Sequence, residues 1–174
     1  NLGNSVEFPQ VEIYEGTYVT TKYLVDSSDV DQRYLLVDSS ADTNTLTVKV
    51  QNSTSDTTST TFTKATDITQ LNSSSNVYYL QEVESGKFEV YFGDGNVSKS
   101  LSDGNIVILQ YVVTNKSLAN GANSFNATSA IDGVTNINLI VNVPARGGAE
   151  AESIKSIKLN APLDYASQGR AVTT

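Results

Sequence analysis

The stretch Ile106-Val-Ile-Leu-Gln-Tyr-Val-Val113 decides the expected fold of this 174-residue chain. Apolar residues occupy both odd and even positions, so a β-strand here would be hydrophobic on both faces. Strands of this kind are usually central ones, with other parts of the protein covering them above and below. We therefore place the hydrophobic core around this strand.

Shorter strand patterns precede it along the chain. Tyr, Val and Thr are enriched around Gly16 in residues 11–25, which predicts two strands or one bent strand. Residues 33–37 predict a short buried strand. A further strand is expected where three apolar residues share one face: Leu46, Val48 and Val50. Residues 52–61 are all polar and predict an exposed loop or hairpin tip.

A hairpin is expected in the middle of the chain. Its two strands would be residues 77–83 and 87–92, connected by Glu84-Ser-Gly86. Three apolar residues of the second strand share a face: Phe88, Val90 and Phe92. Tight turns are then predicted at Gly93, Asp94 and Gly95 and again at Asp103 and Gly104, because Gly allows positive φ and Asp caps its own turn. A phosphate-binding loop would need a helix after the glycines, but a strand pattern follows.

In the C-terminal part of the chain, the spacing of apolar residues changes from that of a strand to that of a helix. Residues 115–132 predict a long loop, and residues 137–143 predict a last strand that Pro144 ends. Gly147 and Gly148 form the next predicted turn, and a helix of about ten residues should follow and end before Pro162. The expected fold is therefore mostly β, either a β-sandwich or a mixed antiparallel sheet, with one short C-terminal α-helix.

Two domains follow from this division of the chain. Residues 1–145 should form a β-rich domain, with a split into two subdomains near residues 72–76 as an alternative. Residues 146–174 should form the short helix and an extended segment that leads to a further C-terminal region. The chain has no initiator Met and no signal-peptide pattern, which is typical of an internal or excised part of a longer protein, although a processed secreted protein would begin in the same way.

Composition excludes several classes of function. The chain has no Cys and no His, so disulfides, thiol nucleophiles, zinc sites and the Ser-His-Asp triad are excluded. Its net charge is −8 and it has no basic stripe, which argues against a nucleic-acid partner. The chain contains no run of roughly 18 apolar residues, so the sequence predicts no membrane-spanning helix. We predict no catalytic residue, no cofactor and no metal ligand.

Two groups of carboxylates could in principle bind a metal ion or act in catalysis. Asp26, Asp29 and Asp31 lie close enough in sequence to bind Ca²⁺ together, but they lack the EF-hand spacing and fit a solvated turn. Asp94 with Asp103 could form the carboxylate pair of a glycosidase. Both of these residues precede Gly, so a turn explains them as well.

Tyrosines are the candidates for packing or recognition. Tyr78, Tyr79, Tyr91 and Tyr111 lie in predicted strands, where cross-strand packing is the first interpretation and interface anchoring the second for those that face outward. Beyond the predicted helix, three polar or amphipathic residues are candidates for docking on another protein, since Arg and Tyr are favoured in interfaces. They are Tyr165, Gln168 and Arg170.

Two blocks of sequence resemble a known family. The first contains Ser85-Gly-Lys-Phe-Glu-Val-Tyr-Phe-Gly-Asp-Gly95, then Leu101-Ser-Asp-Gly-Asn-Ile-Val-Ile-Leu-Gln-Tyr111 and Ala119-Asn-Gly-Ala-Asn123. The second is residues 146–173, where a double Gly, a short acidic helix, Ala161-Pro162 and Gln-Gly-Arg-Ala-Val-Thr173 follow one another. These blocks resemble the baseplate wedge proteins of T4-like contractile-tailed phages and, more distantly, the baseplate J-like family.

The resemblance implies a structural protein and not an enzyme. It implies a component of the phage tail baseplate that is assembled in the bacterial cytoplasm and remains in the virion. Its partners would be copies of itself and other wedge subunits, arranged in a ring around the tail hub. Composition alone leaves an alternative, an extracellular adhesin or surface-layer-type binding module stabilised by Ca²⁺. A carbohydrate-active enzyme is a third hypothesis, which depends only on the carboxylates.

Overall fold

A computed structural model describes residues 6–29 and 31–167 of the chain, and the side chains of the helix only as far as residue 162. The chain divides into two compact units, Asn1–Asn115 and Lys116–Thr174. We call them the sheet unit and the C-terminal unit. The domain boundary expected at residue 145, and the split near residues 72–76, remain predictions.

The sheet unit contains one seven-stranded sheet. In chain order its strands are β1 (Thr17–Leu24), β2 (Tyr34–Leu36), β3 (Ala41–Gln51), β4 (Ser59–Lys64), β5 (Val77–Glu82), β6 (Phe88–Tyr91) and β7 (Ile106–Val113). Across the sheet they lie in the order β1-β7-β3-β4-β5-β6-β2. All neighbours pair antiparallel except β4 and β5, which are parallel. The mostly β prediction is confirmed, as a mixed sheet.

The two edge strands of this sheet approach each other. The hydroxyl of Tyr23 on β1 donates a hydrogen bond of 2.5 Å to the carbonyl of Leu35 on β2. Beside it, the Gln32 side-chain amide donates to the carbonyl of Leu24 at 2.9 Å. Side chains therefore bridge part of the gap between the edges, and the sheet is nearly closed into a barrel.

Strand β7 lies between β1 and β3, as its hydrophobic pattern predicts. Val107, Leu109 and Tyr111 point into the core and are completely buried. Ile106 and Ile108, on the other face, are only half-buried. The central position of this strand is confirmed, and one of its two faces carries most of the burial.

The core of the sheet unit combines aliphatic and aromatic side chains. Its buried members include Leu36, Val48, Val90 and Phe62. Tyr34 also lies here, edge to face with Tyr23 and Phe92 at centroid distances of 5.7 and 5.6 Å. Such contacts add to the stabilisation from buried area alone. Burial raises the pKa of Tyr34 to about 12.

Strand β1 begins directly after Gly16, and residues 11–15 carry no strand. Gly16 has φ of 135°, and a Cβ here would lie 2.4 Å from Val112 Cγ1. Only Gly allows the chain to pass this point. Of the two alternatives for residues 11–25, the structure therefore has one strand, and it starts at residue 17.

Strand β3 is longer than the predicted residues 46–50. Its pairing with β7 shifts between Asp42 and Thr47, which marks an irregularity in the ladder. Within this shift the Thr45 hydroxyl accepts a hydrogen bond from the Val112 amide and donates one to the Asp42 carbonyl. A side chain thus replaces a ladder bond, and this allows the strand to continue as far back as Ala41.

The two predicted hairpin regions are present. The polar segment connects β3 to β4, although residues 59–61 belong to β4 itself. Strands β5 and β6 are joined by a short 3-10 turn, Glu84–Gly86, in which Ser85 has φ of 64°. Val90 is buried on the inner face of β6, with Phe88 and Phe92 beside it. The prediction of a shared apolar face is confirmed.

The C-terminal unit differs from the predicted strand and helix. Residues 137–143 form no strand, so that prediction was wrong, and within the described part of this unit the sole bridge joins Ile131 to Val134. The helix α1 (Ile154–Ser167) continues through Pro162, where the prediction had it end. A proline inside a helix removes one backbone hydrogen bond and does not always stop the helix. No described helix is long and apolar enough to cross a membrane.

Candidate interaction surfaces

The turn at Gly93, Asp94 and Gly95 is held by short-range hydrogen bonds. The Asp94 carboxylate accepts from the Asn96 backbone amide at 3.0 Å and from its side-chain amide at 2.8 Å. These bonds, the backbone one first, lower the pKa of Asp94. Gly95 has φ of 91°, whereas a Cβ on Gly93 would lie 2.0 Å from the hydroxyl oxygen of buried Ser98. The two glycines are therefore needed for different reasons.

The turn at Asp103 and Gly104 connects distant parts of the sheet unit. Asp103 accepts a hydrogen bond from the Ser27 amide at 3.0 Å, and the Gly104 amide donates to the Val25 carbonyl at 3.1 Å. Gly104 has φ of 76°. Asp94 is thus engaged in its own turn, whereas Asp103 holds the distant turn that contains Ser27.

The other two predicted turn residues, Gly147 and Gly148, lie in the C-terminal unit. Gly147 has φ of 91°, and a Cβ on Gly148 would lie 2.1 Å from the Lys116 carbonyl oxygen. The Asn120 side chain accepts from the Gly148 amide at 3.0 Å and donates to its carbonyl at 2.7 Å. Ala145 extends this contact, because its backbone bonds to Gly121 and to residue 122 at 2.8 Å.

The acidic turn after β1 shows local hydrogen bonding. Asp26 accepts from the Ser28 hydroxyl at 2.6 Å and from its amide at 2.9 Å, and these two bonds lower the pKa of Asp26. Asp29 accepts from the Asp31 amide at 3.3 Å. Among residues 6–29 and 31–167, no group of acidic side chains has an arrangement that could hold a metal ion.

The four strand tyrosines separate into two pairs. Tyr78 and Tyr111 are buried in the core. Tyr79 and Tyr91 face outward from β5 and β6, where they are directly paired and their rings stack 5.1 Å apart. The packing interpretation therefore holds for both pairs, in the core for the first and across two strands at the surface for the second.

An arginine completes this outer surface. The Arg33 guanidinium lies 4.3 Å from the centroid of the Tyr91 ring and 3.7 Å from the Glu89 carboxylate. We call Arg33, Tyr79, Glu89 and Tyr91 the aromatic patch. Arg33 was not among the residues predicted for a site. The signal was present, because positions 89 and 91 alternate with buried Val90 and so had to face outward.

The C-terminal unit exposes many apolar side chains and buries few. None of its described residues through 162 is buried. Ile154 and Leu159 of α1 are 72% and 70% exposed. Further exposed apolar residues of this unit are Leu118, Ile131, Val134, Leu139, Ile140, Val143 and Ile157. Contact with another molecule would remove these side chains from water.

The three predicted docking residues lie at the end of this unit. Tyr165 belongs to α1, but its side chain is outside the described part. Gln168 and Arg170 lie outside the described residues altogether. Their role in docking remains a prediction.

One cavity of the sheet unit has a volume of about 120 Å³ and lies beside Val50, Phe62 and Leu101. Pockets for small molecules usually measure roughly 300–1,000 Å³. This cavity is therefore smaller than a typical small-molecule site.

Two comparisons with known proteins point to one family. Residues 19–126 match the family model of the third domain of the bacteriophage baseplate wedge protein gp6. The chain is also 30% identical over 123 residues to the baseplate wedge protein gp6 of Enterobacteria phage T4. That alignment covers 58% of this chain and 19% of the T4 protein, so the chain spans about a fifth of its relative.

The match confirms the resemblance to baseplate wedge proteins, but the part of the chain that it covers is not the same as that of the two blocks. The first block, residues 85–123, lies within the matched region. The match also covers residues 19–84, which include most of β1 and all of β2 to β5. The second block, residues 146–173, lies outside it. This protein belongs to the family of the third domain of the bacteriophage baseplate wedge protein gp6.

Proposed function

We propose that this chain is a structural, non-catalytic part of the baseplate wedge in a contractile phage tail. Its family membership carries the proposal. The similar T4 protein is itself named a baseplate wedge protein. The chain would associate with copies of itself and with other wedge proteins in a ring around the tail hub. Assembly would take place in the host cytoplasm, and the finished ring would remain in the virion.

The exposed apolar residues of the C-terminal unit support an assembly role. Fully covering one such side chain contributes roughly 1.5–3 kcal/mol. The unit has no described buried side chain to stabilise it from within. Contact with neighbouring subunits would supply the missing burial, as in interfaces that resemble a protein core divided in two.

The aromatic patch supports a second contact in the same assembly. Arg and Tyr are enriched in interfaces, and their planar groups lose little conformational entropy on binding. Here Arg33 is already ordered against Tyr91. A contractile machine needs interfaces that hold one arrangement and allow another, and rigid stacked side chains suit such switching between two packed states.

A cryo-EM reconstruction of the phage particle that carries this chain tests the proposal. We expect the sheet unit to repeat around the tail hub, with the C-terminal unit in contact with a neighbouring subunit. A solitary surface domain that binds Ca²⁺ or a glycan would instead support the adhesin alternative and overturn the proposal.

A biochemical test uses the isolated 174-residue chain as a competitor. Added in excess to an in vitro wedge assembly, it should reduce the yield of complete wedges. The variant Ile154→Glu/Leu159→Glu should compete less, because charges replace exposed apolar contacts. Its control, Glu82→Gln/Gln81→Glu, changes exposed residues of the sheet unit and should compete like the parent chain. Equal competition by all three chains would contradict an interface on α1.

A further inference from the structure

Asn120 and Gly121 form the one Asn-Gly pair in the sequence. Such pairs deamidate readily, because Gly has no side chain that hinders its backbone nitrogen from attacking the preceding carboxamide. Hydroxide removes the Gly121 amide proton, the nitrogen bonds to Cγ of Asn120, and the Cγ–Nδ2 bond breaks. Nδ2 takes a proton from water and leaves as ammonia. A water molecule then opens the cyclic imide to aspartate or isoaspartate, and the chain gains one negative charge.

Both reacting groups are held by the same neighbouring segment, residues 145–148. The side-chain oxygen of Asn120 accepts a hydrogen bond from the Gly148 amide at 3.0 Å, and its nitrogen donates to the Gly148 carbonyl at 2.7 Å. The Gly121 amide donates to the Ala145 carbonyl at 2.8 Å. We call these three hydrogen bonds the clasp.

The clasp opposes deamidation at both reacting groups. It fixes the carboxamide of Asn120 against Gly148, so Cγ cannot turn toward the nitrogen that attacks it. It also keeps the proton of the Gly121 amide in a hydrogen bond, which must break before hydroxide can remove that proton. Residues 120 and 121 are themselves exposed to solvent. Opening of the clasp, and not a wider unfolding of the chain, is therefore the step that permits the reaction.

We propose that Asn120 is a site of spontaneous deamidation, that the clasp protects it, and that deamidation in turn prevents the clasp from closing. An aspartate at this position has no N–H to donate to the Gly148 carbonyl, and one of its oxygens would face that carbonyl oxygen instead. Isoaspartate would also lengthen the backbone by one methylene group. Either product would release residues 145–148 from the loop at residues 120–122. The inference does not depend on the assembly role proposed above.

Peptide mapping of the full 174-residue chain tests the protection. The chain is incubated at mildly alkaline pH, in buffer and in concentrated urea, and then digested with trypsin and analysed by mass spectrometry. We expect Asn120 to deamidate at least about tenfold more slowly in buffer than in urea, because three hydrogen bonds must break first. Equal rates under the two conditions would overturn the proposal.

Gly148→Ala should open the clasp without unfolding the sheet unit, because its Cβ would lie 2.1 Å from the Lys116 carbonyl oxygen. Deamidation of Asn120 should become at least about tenfold faster in this variant. The matched control is Gly93→Ala, another tightly packed glycine, which lies in the sheet unit and should leave the rate at Asn120 unchanged.

Asn123 provides an internal reference, because it is also exposed and lies in the same tryptic peptide, residues 117–146. Its own deamidation should not change in Gly148→Ala. An unchanged rate at Asn120 in this variant would overturn the proposal. An equal acceleration at Asn123 would also overturn it, since the protection would then come from the general fold of the loop and not from the clasp.

Asn120→Asp tests the consequence of the modification. Hydrogen exchange of the Gly121 and Ala145 amides should become at least about fivefold faster than in the parent chain. Asn123→Asp adds the same charge three residues away and should leave both amides unchanged. Unchanged exchange in Asn120→Asp, or equal acceleration in the two variants, would overturn the claim that deamidation opens the clasp.

Discussion

Residues 106–113 and 137–143 have similar apolar patterns, but only the first segment forms a strand in the structure. The first segment became β7, paired on both sides and buried at Leu109. The second forms no strand, and Ile140 is exposed. An alternating or continuous apolar pattern makes a strand favourable only when a neighbouring strand can satisfy its backbone groups. The sheet unit provides that neighbour, and the described C-terminal unit does not.

The largest expected effect comes from the same substitution in the two units. Leu109→Ala should lower the free energy of unfolding by roughly 2–5 kcal/mol, since it opens a cavity in the core. Leu159→Ala should change it by less than about 0.5 kcal/mol, because this side chain is 70% exposed. Urea unfolding followed by far-UV circular dichroism measures both. Similar losses in the two variants would contradict the contrast between the units.

Two tightly packed glycines provide the next comparison. Gly93→Ala should destabilise the sheet unit by roughly 1–3 kcal/mol, because the new methyl group would overlap Ser98 and the core cannot expand freely. Gly148→Ala should instead loosen the contact between residues 145–148 and Asn120. Hydrogen exchange distinguishes the two outcomes. We expect faster exchange across β6 in the first variant and only at residues 121 and 145 in the second.

The buried tyrosines should differ in their response to loss of the hydroxyl. In the described structure the Tyr111 hydroxyl is buried without a hydrogen-bond partner, so Tyr111→Phe should be neutral or stabilise by up to about 1 kcal/mol. The Tyr34 hydroxyl bonds to Gln32 at 3.0 Å, and Tyr34→Phe should cost about 1 kcal/mol. Denaturant midpoints measure the pair. A clear loss in Tyr111→Phe would indicate an additional partner in the core.

The smallest expected effect is a loss of stability at acidic pH. The pKa values of Asp26, Asp56, Asp67 and Asp94, all in the sheet unit, are lowered from 3.8 by hydrogen bonds in their turns. A carboxyl group whose pKa is lower in the folded state stabilises the fold at pH values above its pKa in the unfolded state. This contribution disappears as the pH falls through its pKa in the folded state. The urea midpoint should therefore fall below about pH 4. Asp94→Asn should make that fall slightly shallower.

The same pH titration includes an interval in which stability should not change, and this interval serves as a control. The chain has no His and no Cys, so few groups change protonation between about pH 5.5 and 7.5. Stability should stay nearly constant there. A steep change in this interval would mean that a carboxyl group has a strongly raised pKa.

Local patterns predicted much of the sheet unit correctly. The hairpin of β5 and β6, the short β2 and the apolar face of β3 follow from alternation and from Gly in the turns. The start of β1 at residue 17 could not be predicted, because it depends on the contact between Gly16 and Val112 across the sheet. The backward extension of β3 depends in the same way on Thr45, which reaches the amide of Val112.

The candidate surfaces were predicted less completely. The tyrosines were identified as residues that either pack or anchor an interface, but only the register of β5 and β6 separates the buried Tyr78 from the stacked pair of Tyr79 and Tyr91. Arg33 was missed because its partner lies more than fifty residues away in the chain. The resemblance found in short motifs, by contrast, identified the family before any contact was known.

The sequence by itself determined the β class, the position of the core strand, the absence of thiol and imidazole chemistry and the family. These properties depend on residue type and on spacing between near neighbours. Tertiary structure alone decided which strand patterns found partners, which tyrosines faced outward and why Gly93 and Gly148 must lack a side chain. Those outcomes depend on backbone segments that meet across the fold, and the free energy of a strand or a turn is set by what lies against it.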